Sequence, residues 1–331
     1  MTSPYICPVA KTPLLETSDG LRRDDGAVAP FLPSSARPIP DFLSYCVNSA
    51  STRQAMVMYN QSSSPQVYRN FLEWLFLTFN EVETEFRKQL VSHLRLRSGS
   101  KVLVTGCGLG EDLWPIADQI GVEGHLWASD ISAEMVLSAA SEATARLDEP
   151  QQISFAVCDA TLLPYADRFF DAAFHFGGIN LFADVRQAVH EMNRVVKTGG
   201  RVVFGDEGIG PWLTNTEYGR IAVNNNRLWS AKAPIDLIPE SAVDVHLTWV
   251  LGNCFYLIDF EVSDSGPEMN IDVIHKGHRG GSMRSRYFGQ LEGVTEESRA
   301  FVIRDAKRRG ISVHAWLEDA IRKQRNIEPP I

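Results

Sequence analysis

The sequence lacks paired cysteines and long hydrophobic runs, and each shortage excludes a class of protein. Its five cysteines include no Cys-x-x-Cys pair, which argues against a disulfide framework or a thiolate metal site and favours reduced thiols. No signal-peptide pattern opens the chain, and the densest apolar run, residues 71–79, is too short for a membrane span and contains Glu73. We therefore expect a cytoplasmic protein without a membrane span.

Positive charge is also scarce. Lysine and arginine number 32 against 41 acidic residues, which gives a net charge of -9. Such a chain lacks the positive field that steers proteins to nucleic acid, so nucleic acid is disfavoured as a partner. With 44% hydrophobic residues in 331 positions, the chain can fill a sizeable core.

Glycine, in contrast, is concentrated after one apolar run, in the stretch VLVTGCGLGEDL at residues 102–113. Glycines at 106, 108 and 110 allow a tight turn and let a ligand approach the main chain, while the following helix offers free amides. The dinucleotide fingerprint requires a third glycine at 111, where this chain has Glu111. Acids at the start of a helix also disfavour a pyrophosphate. The loop therefore predicts a nucleotide-type ligand with a cationic end and no phosphate.

Short apolar runs alternate with helical segments on both sides of this loop. Predicted strands KVLVT, HLWASD, ISFAVCD, FDAAFHF and RVVFGD alternate with predicted helices near 111–120, 132–147 and 184–196. This alternation predicts a parallel sheet that is covered on both faces. DVHLTWV, FYLIDFEV and NIDVIH are predicted as later strands at an antiparallel edge.

Four regions are predicted along the chain. They are an N-terminal ribbon-like arm without metal (1–45), a helical cap entered through Pro65 (46–100), a core that includes an acceptor-pocket segment at 207–243 (101–276), and a basic loop with C-terminal helices (277–331). The apolar spacing of the tail predicts two helices divided at Gly310, which serve in packing or in a homodimer contact.

Several motifs occur in the order found in one family: GCGLG after VLVT, then HLWASDIS, FAVCDATLLPYADRFFDAAF and VVKTGGRVVF. Over residues 60–206 the chain resembles class I S-adenosylmethionine-dependent methyltransferases, in particular the ubiquinone/menaquinone and secondary-metabolite methyltransferases. The resemblance implies an α/β fold with a doubly wound, mostly parallel seven-stranded sheet of the Rossmann-like kind. It also implies S-adenosyl-L-methionine as the cofactor and S-adenosyl-L-homocysteine as the product.

The resemblance further implies the cofactor contacts. Asp130 corresponds to the acid that holds the ribose hydroxyls, and Asp159 to the acid that accepts from the adenine amino group. The full predicted set is Gly106, Cys107, Gly108, Gly110, Asp130, Ile131, Asp159, Ala160 and Phe176. One position departs from the family, because Thr105 stands where an acid often precedes the first glycine. Glu111 or Asp112 could substitute for that acid.

Ligands of open α/β sheets gather at the carboxyl ends of the strands, which places residues 175–180 and the acids Asp206 and Glu207 beside the methyl group. His175 is a candidate general base, and the alternative is a histidine that is simply packed. The predicted acceptor contacts are Asn180, Trp212, Tyr218, Asn225, Arg279 and Arg284. For Trp212 the alternative is a core residue under a lid.

Two further segments bear on the partner. HKGHRGGSMRSR, residues 275–286, contains no acid, so Arg279 and Arg284 could clamp a carboxylate or phosphate; the alternative is a solvated turn. YICPVAKTPL resembles the zinc-ribbon arm that precedes some methyltransferases of this class, but Ala10 replaces its second cysteine. The arm is therefore predicted to bind no metal, and the alternative is an ordinary extension.

These observations predict a methyltransferase for a small-molecule acceptor, which could be anionic, in secondary metabolism. One alternative is an rRNA or tRNA base methyltransferase, motivated by the ribbon-like arm and the basic loop. Another is a non-catalytic, S-adenosylmethionine-binding regulatory protein, motivated by Thr105.

Overall fold

The alternation of buried apolar strands with amphipathic helices builds the fold that the sequence predicts. The computed structural model describes residues 4–33, 38–45, 61–146, 152–277, 281–288, 291 and 294–325. The chain divides into two compact units, the first ending at Gly266 and the second beginning at Pro267.

Ten strands are found in the described part of the first unit. They are β1 (Leu15–Glu16), β2 (Gly20–Arg22), β3 (Val28–Pro30), β4 (Lys101–Thr105), β5 (His125–Asp130), β6 (Ile153–Val157), β7 (Phe170–Phe176), β8 (Val196–Glu207), β9 (Val243–Val250) and β10 (Phe255–Glu261). Seven of them form one sheet in the order β6-β5-β4-β7-β8-β10-β9. The first five are parallel, and β10 and β9 complete the sheet as antiparallel strands. The predicted seven-stranded, mostly parallel sheet is thereby confirmed.

Helices cover the sheet. In the first unit they are α1 (Ser64–Phe79), α2 (Glu83–Ser92), α3 (Leu113–Ile120), α4 (Ala133–Arg146), α5 (Val185–Val195) and α6 (Glu217–Asn225). Short 3-10 helices at Ile179–Leu181, Pro211–Leu213, Arg227–Ser230 and Ile235–Leu237 lie in the connections on either side of β8.

Strand β4 shows how the core is divided between the two faces. Val102 and Val104 are buried in one apolar cluster with residues of α1 to α4, whereas Leu103 is buried in a second cluster with residues of α5 and the N-terminal arm. Successive strand residues point to opposite faces. A strand that is apolar at every position therefore requires cover on both faces, as in a doubly wound fold.

The N-terminal arm is more regular than the predicted ribbon. Strands β1, β2 and β3 form a small antiparallel sheet, and Asp41 pairs with Val157 beside β6. Tyr5 packs against Tyr165 at a ring-centroid distance of 5.5 Å, and Lys11 forms a 3.0 Å ion pair with Glu191 of α5. The arm therefore belongs to the packed first unit. Its likeness to a zinc ribbon stays a prediction.

The second unit contains α7 (Met283–Phe288), α8 (Glu296–Arg309) and α9 (Val313–Arg325). Gly310 ends α8 in the left-handed conformation, which confirms the predicted division of the tail. The predicted strand NIDVIH is wrong, because residues 270–275 form no strand. Val273 and Ile274 there are 63% and 66% exposed, so no neighbouring strand buries them.

Cys7, Cys107, Cys158 and Cys254 are buried and form no disulfide, while Cys46 lies outside the described residues. Within the described ranges, no helix has both the length and the apolar character that a bilayer crossing requires.

Candidate cofactor and acceptor site

A cavity of about 510 Å³ lies at the carboxyl ends of the parallel strands of the first unit. This volume falls within the range of about 300–1,000 Å³ that is usual for ligand pockets. Its described lining consists of Gln61, Ser63, Ser64, Val67, Tyr68, Phe71, Gly106, Gly108, Ser129, Asp130, Ile131, Met135, Cys158, Asp159, Ala160, His175, Gly177, Gly178, Leu181, Phe182, Ala183, Asp206, Glu207, Asn226, Leu228 and Phe255.

The glycine loop after β4 needs glycine for two reasons. Gly106 has a φ of +59°, and a Cβ added there would lie 2.8 Å from Cε1 of His175. Gly108 has a φ of +52° and faces Tyr68 of α1. Residues that carry a side chain rarely adopt these backbone φ angles. The loop therefore presents bare main chain to the cavity.

Asp130, at the end of β5, fixes this loop. Its Oδ2 accepts a hydrogen bond from the Gly108 amide at 2.9 Å, and its Oδ1 accepts one from the Ser132 amide at 2.9 Å. Burial raises the pKa of the Asp130 carboxyl, and these amides oppose that rise. The carboxylate therefore couples the glycine loop to β5 at the edge of the cavity.

The next strand end carries a second acid. Oδ1 of Asp159 accepts from the amide and the hydroxyl of Thr161 at 2.8 and 2.7 Å, and Asp159 lines the cavity together with Ile131 and Ala160. The structure therefore brings six of the nine predicted cofactor contacts to one cavity.

The other three predicted contacts are not part of the described lining. Cys107 is buried, and burial raises the pKa of its thiol. The Gly110 amide closes the loop on the Cys107 carbonyl at 2.8 Å. Phe176 packs between Phe86 and Phe255, at centroid distances of 5.6 and 5.9 Å. Cys107, Gly110 and Phe176 therefore contribute packing and turn contacts next to the cavity lining. Their contact with a cofactor stays a prediction.

His175 lines the cavity although it is only 1% exposed. Its Nδ1 lies 2.8 Å from the Thr105 carbonyl oxygen, and because a carbonyl only accepts, Nδ1 carries the hydrogen. Burial lowers the pKa of His175 to about 4, so the ring is neutral near pH 7. Its Nε2 has no hydrogen-bond partner among the described residues. A catalytic role for His175 stays a prediction.

Two acids end strand β8. Asp206 accepts from the backbone amides of Asn180 and Glu207, both at 2.7 Å. Oε1 of Glu207 accepts from the Asn226 side-chain amide at 2.8 Å and from the Trp229 indole at 3.2 Å. Burial, followed by the neighbouring Asp206 charge, raises the pKa of Glu207 to about 7.

The acid that the family often has before its first glycine is not replaced in the way the sequence suggested. Asp112 forms a 2.7 Å ion pair with the buried Arg87, and neither Asp112 nor Glu111 belongs to the described lining. Arg87 also pairs with Glu83 of α2 at 2.7 Å. Asp112 therefore serves a contact between α2 and the start of α3.

The predicted acceptor residues of the first unit are not part of the described lining of the cavity. The Asn180 side chain donates to the Glu207 carbonyl at 2.7 Å and accepts from Tyr256 at 3.0 Å. Trp212 is 59% exposed and packs edge-on against Trp249 at 5.1 Å. The Tyr218 hydroxyl donates to the Gly252 carbonyl at 2.9 Å.

Asn225 is the last residue of α6, and its neighbour Asn226 lines the cavity instead. In the second unit, Arg284 binds both carboxylate oxygens of Asp272, at 2.7 and 3.1 Å. Arg279 lies outside the described residues. Acceptor binding by Asn225, Arg279 and Arg284 stays a prediction.

The sequence analysis did not identify the apolar and aromatic part of the cavity wall, which is called the acceptor half below because we propose that it holds the acceptor. Helix α1 supplies Val67, Tyr68 and Phe71, and the connection after β7 supplies Leu181 and Phe182. Aromatic residues at helical spacing predicted α1 correctly, but spacing alone did not show which of them face a ligand. No group of three or more His, Cys, Asp or Glu side chains in the described ranges is arranged to hold a metal ion.

Comparison with known proteins agrees with this geometry. Residues 102–200 match the family model described as "Methyltransferase domain". Over residues 102–200 the chain is therefore similar to methyltransferase domains, and the relatives and solved structures that it matches include S-adenosylmethionine-dependent methyltransferases.

Two curated relatives illustrate the likeness. The chain is 30% identical over 160 residues to a ubiquinone/menaquinone biosynthesis C-methyltransferase of Bdellovibrio bacteriovorus, which covers 46% of this chain and 66% of that protein. It is 28% identical over 130 residues to the 27-O-demethylrifamycin SV methyltransferase of Amycolatopsis mediterranei, which covers 39% of this chain and 46% of that protein. The chain thus spans about half to two thirds of the length of these relatives.

Among solved structures, Haemonchus contortus phosphoethanolamine N-methyltransferase 2 in complex with S-adenosyl-L-methionine aligns with a TM-score of 0.51. The identity is 13%, and the alignment covers 70% of this chain and 62% of that one. At this identity the likeness supports the fold and nothing finer.

Proposed function

We propose that the protein is a methyltransferase that transfers a methyl group from S-adenosylmethionine to a small-molecule acceptor. The observation that carries this proposal is the bare main chain at Gly106 and Gly108, fixed by the Asp130 carboxylate and open to one cavity. S-adenosylmethionine, when bound, supplies the methyl group on a positively charged sulfonium.

The residues present fit this cofactor. Asp130 would hold the ribose hydroxyls, Ile131 would pack on the adenine, and Asp159 would accept from the adenine amino group. Acidic side chains near the loop suit a cationic ligand better than a pyrophosphate. The neutral ring of His175 adds no positive charge that would repel the sulfonium.

The acceptor half of the cavity supports transfer by positioning. Side chains of Phe71, Leu181 and Phe182 line it, so an acceptor that packs on them is held close to the cofactor. Holding a nucleophile near a methyl carbon in the correct alignment supplies a large share of the rate enhancement in such a displacement. A small organic acceptor with an apolar body matches this lining.

The finer substrate class is part of the proposal. A role in secondary metabolism is supported by the likeness to a rifamycin methyltransferase. The alternative of a bulky RNA acceptor receives no support from the cavity, because its described lining contains no lysine or arginine. An anionic acceptor would depend on Arg279 and Arg284, and Arg284 is already paired with Asp272. A cytoplasmic location and dimerisation through the C-terminal helices stay predictions.

Titration calorimetry with S-adenosylmethionine and S-adenosylhomocysteine tests the proposal. We expect micromolar binding of both and no binding of NAD. Asp130→Ala should weaken binding roughly 10- to 100-fold, since a hydrogen bond to a charged group contributes about 1.5–3 kcal/mol. Asp118→Ala, an exposed acid on α3, is the matched control and should bind as the wild type does. A folded wild-type protein that binds neither compound would refute the function.

A further inference from the structure

The charge of the cavity lining is one-sided. Its described residues include four acids and neither lysine nor arginine. Asp130 and Asp159 belong to the cofactor half, and both oxygens of Asp206 accept backbone amides. Glu207 is the one acid of the described acceptor half that is not saturated in this way.

Only one oxygen of Glu207 is occupied. Asn226 and Trp229 both donate to Oε1, and Oε2 has no hydrogen-bond partner among the described residues. The side chain is 7% exposed and lines the cavity. This oxygen can therefore accept a hydrogen bond from a ligand in the cavity.

Packing holds this carboxylate in one orientation. Trp229, whose indole donates to it, is 4% exposed and lies among Trp74, Phe79 and Phe255, at centroid distances of 6.4, 5.7 and 6.2 Å. Asn226 is fixed in turn, because its Oδ1 accepts from the Leu228 amide at 3.0 Å. Functional groups locked by such surroundings are preorganised for a ligand.

The neighbouring wall is apolar, with Val67, Phe71, Leu181, Leu228 and Phe255 in the lining. A carboxylate or phosphate on the acceptor would lose its hydration beside this wall and meet the negative charge of Glu207, so this part of the cavity disfavours an anionic acceptor. An N–H or O–H group, in contrast, would satisfy Oε2.

We propose that Glu207 binds the N–H or O–H group of an amine or phenol acceptor whose body is apolar and carries no anionic group, and that it accepts the proton released on methylation. The inference rests on the proposed function and names the substrate class. The acceptor nitrogen or oxygen loses its proton to Oε2 of Glu207, and its lone pair forms the bond to the methyl carbon. The electron pair of the broken carbon–sulfur bond stays on sulfur, which becomes a neutral thioether. The proton later leaves Glu207 for water.

Three probes of nearly equal size test this charge selectivity: 2-naphthylmethylamine (a cation at pH 8), 2-naphthol (neutral) and 2-naphthoate (an anion). Their affinities are measured by calorimetry on the full chain saturated with S-adenosylhomocysteine. We expect the amine and the naphthol to bind at least about 10-fold more tightly than the naphthoate, a difference of about 1.4 kcal/mol or more.

Variants at one position then identify the group responsible. Glu207→Gln keeps the shape and should abolish the preference for the amine over the naphthoate, whereas Glu207→Asp keeps the charge and should retain it in part. Glu217→Gln, an exposed acid of α6, is the matched control and should behave as the wild type. Unchanged S-adenosylhomocysteine affinity, with a thermal midpoint no lower than that of the wild type, shows that each variant is folded.

The inference is overturned if the naphthoate binds the wild type as tightly as the amine does, or if Glu207→Gln keeps the preference. Failure of the proposed function has a different signature, because S-adenosylhomocysteine itself would then not bind. In that case the same probe titrations on the unliganded chain still measure the charge selectivity of the cavity.

Discussion

The two halves of the cavity are built in different ways. The half that we propose for the cofactor uses main chain and one acid after each of two neighbouring strands, Asp130 and Asp159. The acceptor half is assembled from helix α1, the connection after β7, the segment around Asn226 and strand β10. The first half is therefore local in sequence, and the second combines side chains more than 180 residues apart.

This difference separates cofactor binding, which relatives share, from acceptor binding, which is particular to each protein. A glycine loop with acids at the strand ends suits every protein that uses the same cofactor, because the cofactor itself does not change. The acceptor half varies with the helices and loops that cover it, so a family match at residues 102–200 includes the cradle but neither α1 nor Glu207. Variants of the two halves should consequently affect different ligands.

Gly106→Ala should have the largest effect and should act on the cofactor half. Its Cβ would lie 2.8 Å from the His175 ring, at a φ of +59°, so the loop must move. We expect S-adenosylhomocysteine affinity to fall at least about 100-fold, equivalent to roughly 3 kcal/mol, as measured by calorimetry.

Gly199→Ala is the control for backbone strain. Gly199 has a φ of +80° and no atom within 4 Å of an added Cβ, so this variant should lose roughly 1 kcal/mol of stability and no cofactor affinity. If both variants bind the cofactor normally, the close approach at Gly106 does not shape the cradle.

The contrast between the halves also explains what the sequence could predict. The alternation of strands and helices, the glycine loop and the acid at the end of β5 follow from local patterns, because each of them is defined by a few consecutive residues. Which residues face the acceptor depends on how α1 and the 226–229 segment pack over the sheet. Asn225 was predicted and Asn226 lines the cavity, since periodicity does not determine how a helix end is rotated.

In the basic loop, too, a local pattern left out a contact that the structure shows. Charge counting over residues 275–286 found no acid, yet Asp272 lies just outside that window and pairs with Arg284. An acidic partner only a few residues outside a basic segment can therefore neutralise a charge that the segment alone shows as unpaired.

Glu207→Gln should sharpen the comparison through stability. The pKa of Glu207 in the folded protein is about 7, above its reference value of 4.5. The folded state therefore holds this proton more tightly, and the associated stability is complete below about pH 4.5 and is lost as the pH rises through 7. Glutamine cannot ionise, so the variant should be more stable than the wild type at pH 8 by up to about 3 kcal/mol.

Urea unfolding at pH 8 and pH 4.5 measures this gain, which should disappear at the lower pH. The charged groups that face Glu207 are Asp206 on β8 and, when ionised, Tyr256 on β10, and neither changes in the variant. A gain of equal size at both pH values would mean that burial of charge is not its cause. Stability gained together with lost charge selectivity is the trade-off expected of a functional group.

Trp229→Phe should have a smaller effect, because it keeps an aromatic ring beside Trp74 and removes only the indole donor to Glu207. We expect the free energy of unfolding to fall by about 1 kcal/mol. We also expect a further rise in the pKa of Glu207, because one hydrogen bond to its charged form is gone. The pH dependence of urea unfolding, compared with that of the double variant with Glu207→Gln, reports the rise. Trp212→Phe is the matched control, and a shift of the same size there would contradict the assignment.

Arg284→Ala should have the smallest effect, and it tests whether the basic loop belongs to the acceptor half at all. Nε and Nη2 of Arg284 donate to the two carboxylate oxygens of Asp272, so the residue has a local role in the second unit. We expect the affinities for S-adenosylhomocysteine and for 2-naphthoate to stay within about two-fold of the wild type, as is usual when an exposed ion pair is broken. Asp272→Ala is the counterpart, since it frees the guanidinium. If Arg284→Ala weakens naphthoate binding and Asp272→Ala strengthens it, the loop binds anions, and the amine or phenol class assigned through Glu207 would have to be abandoned.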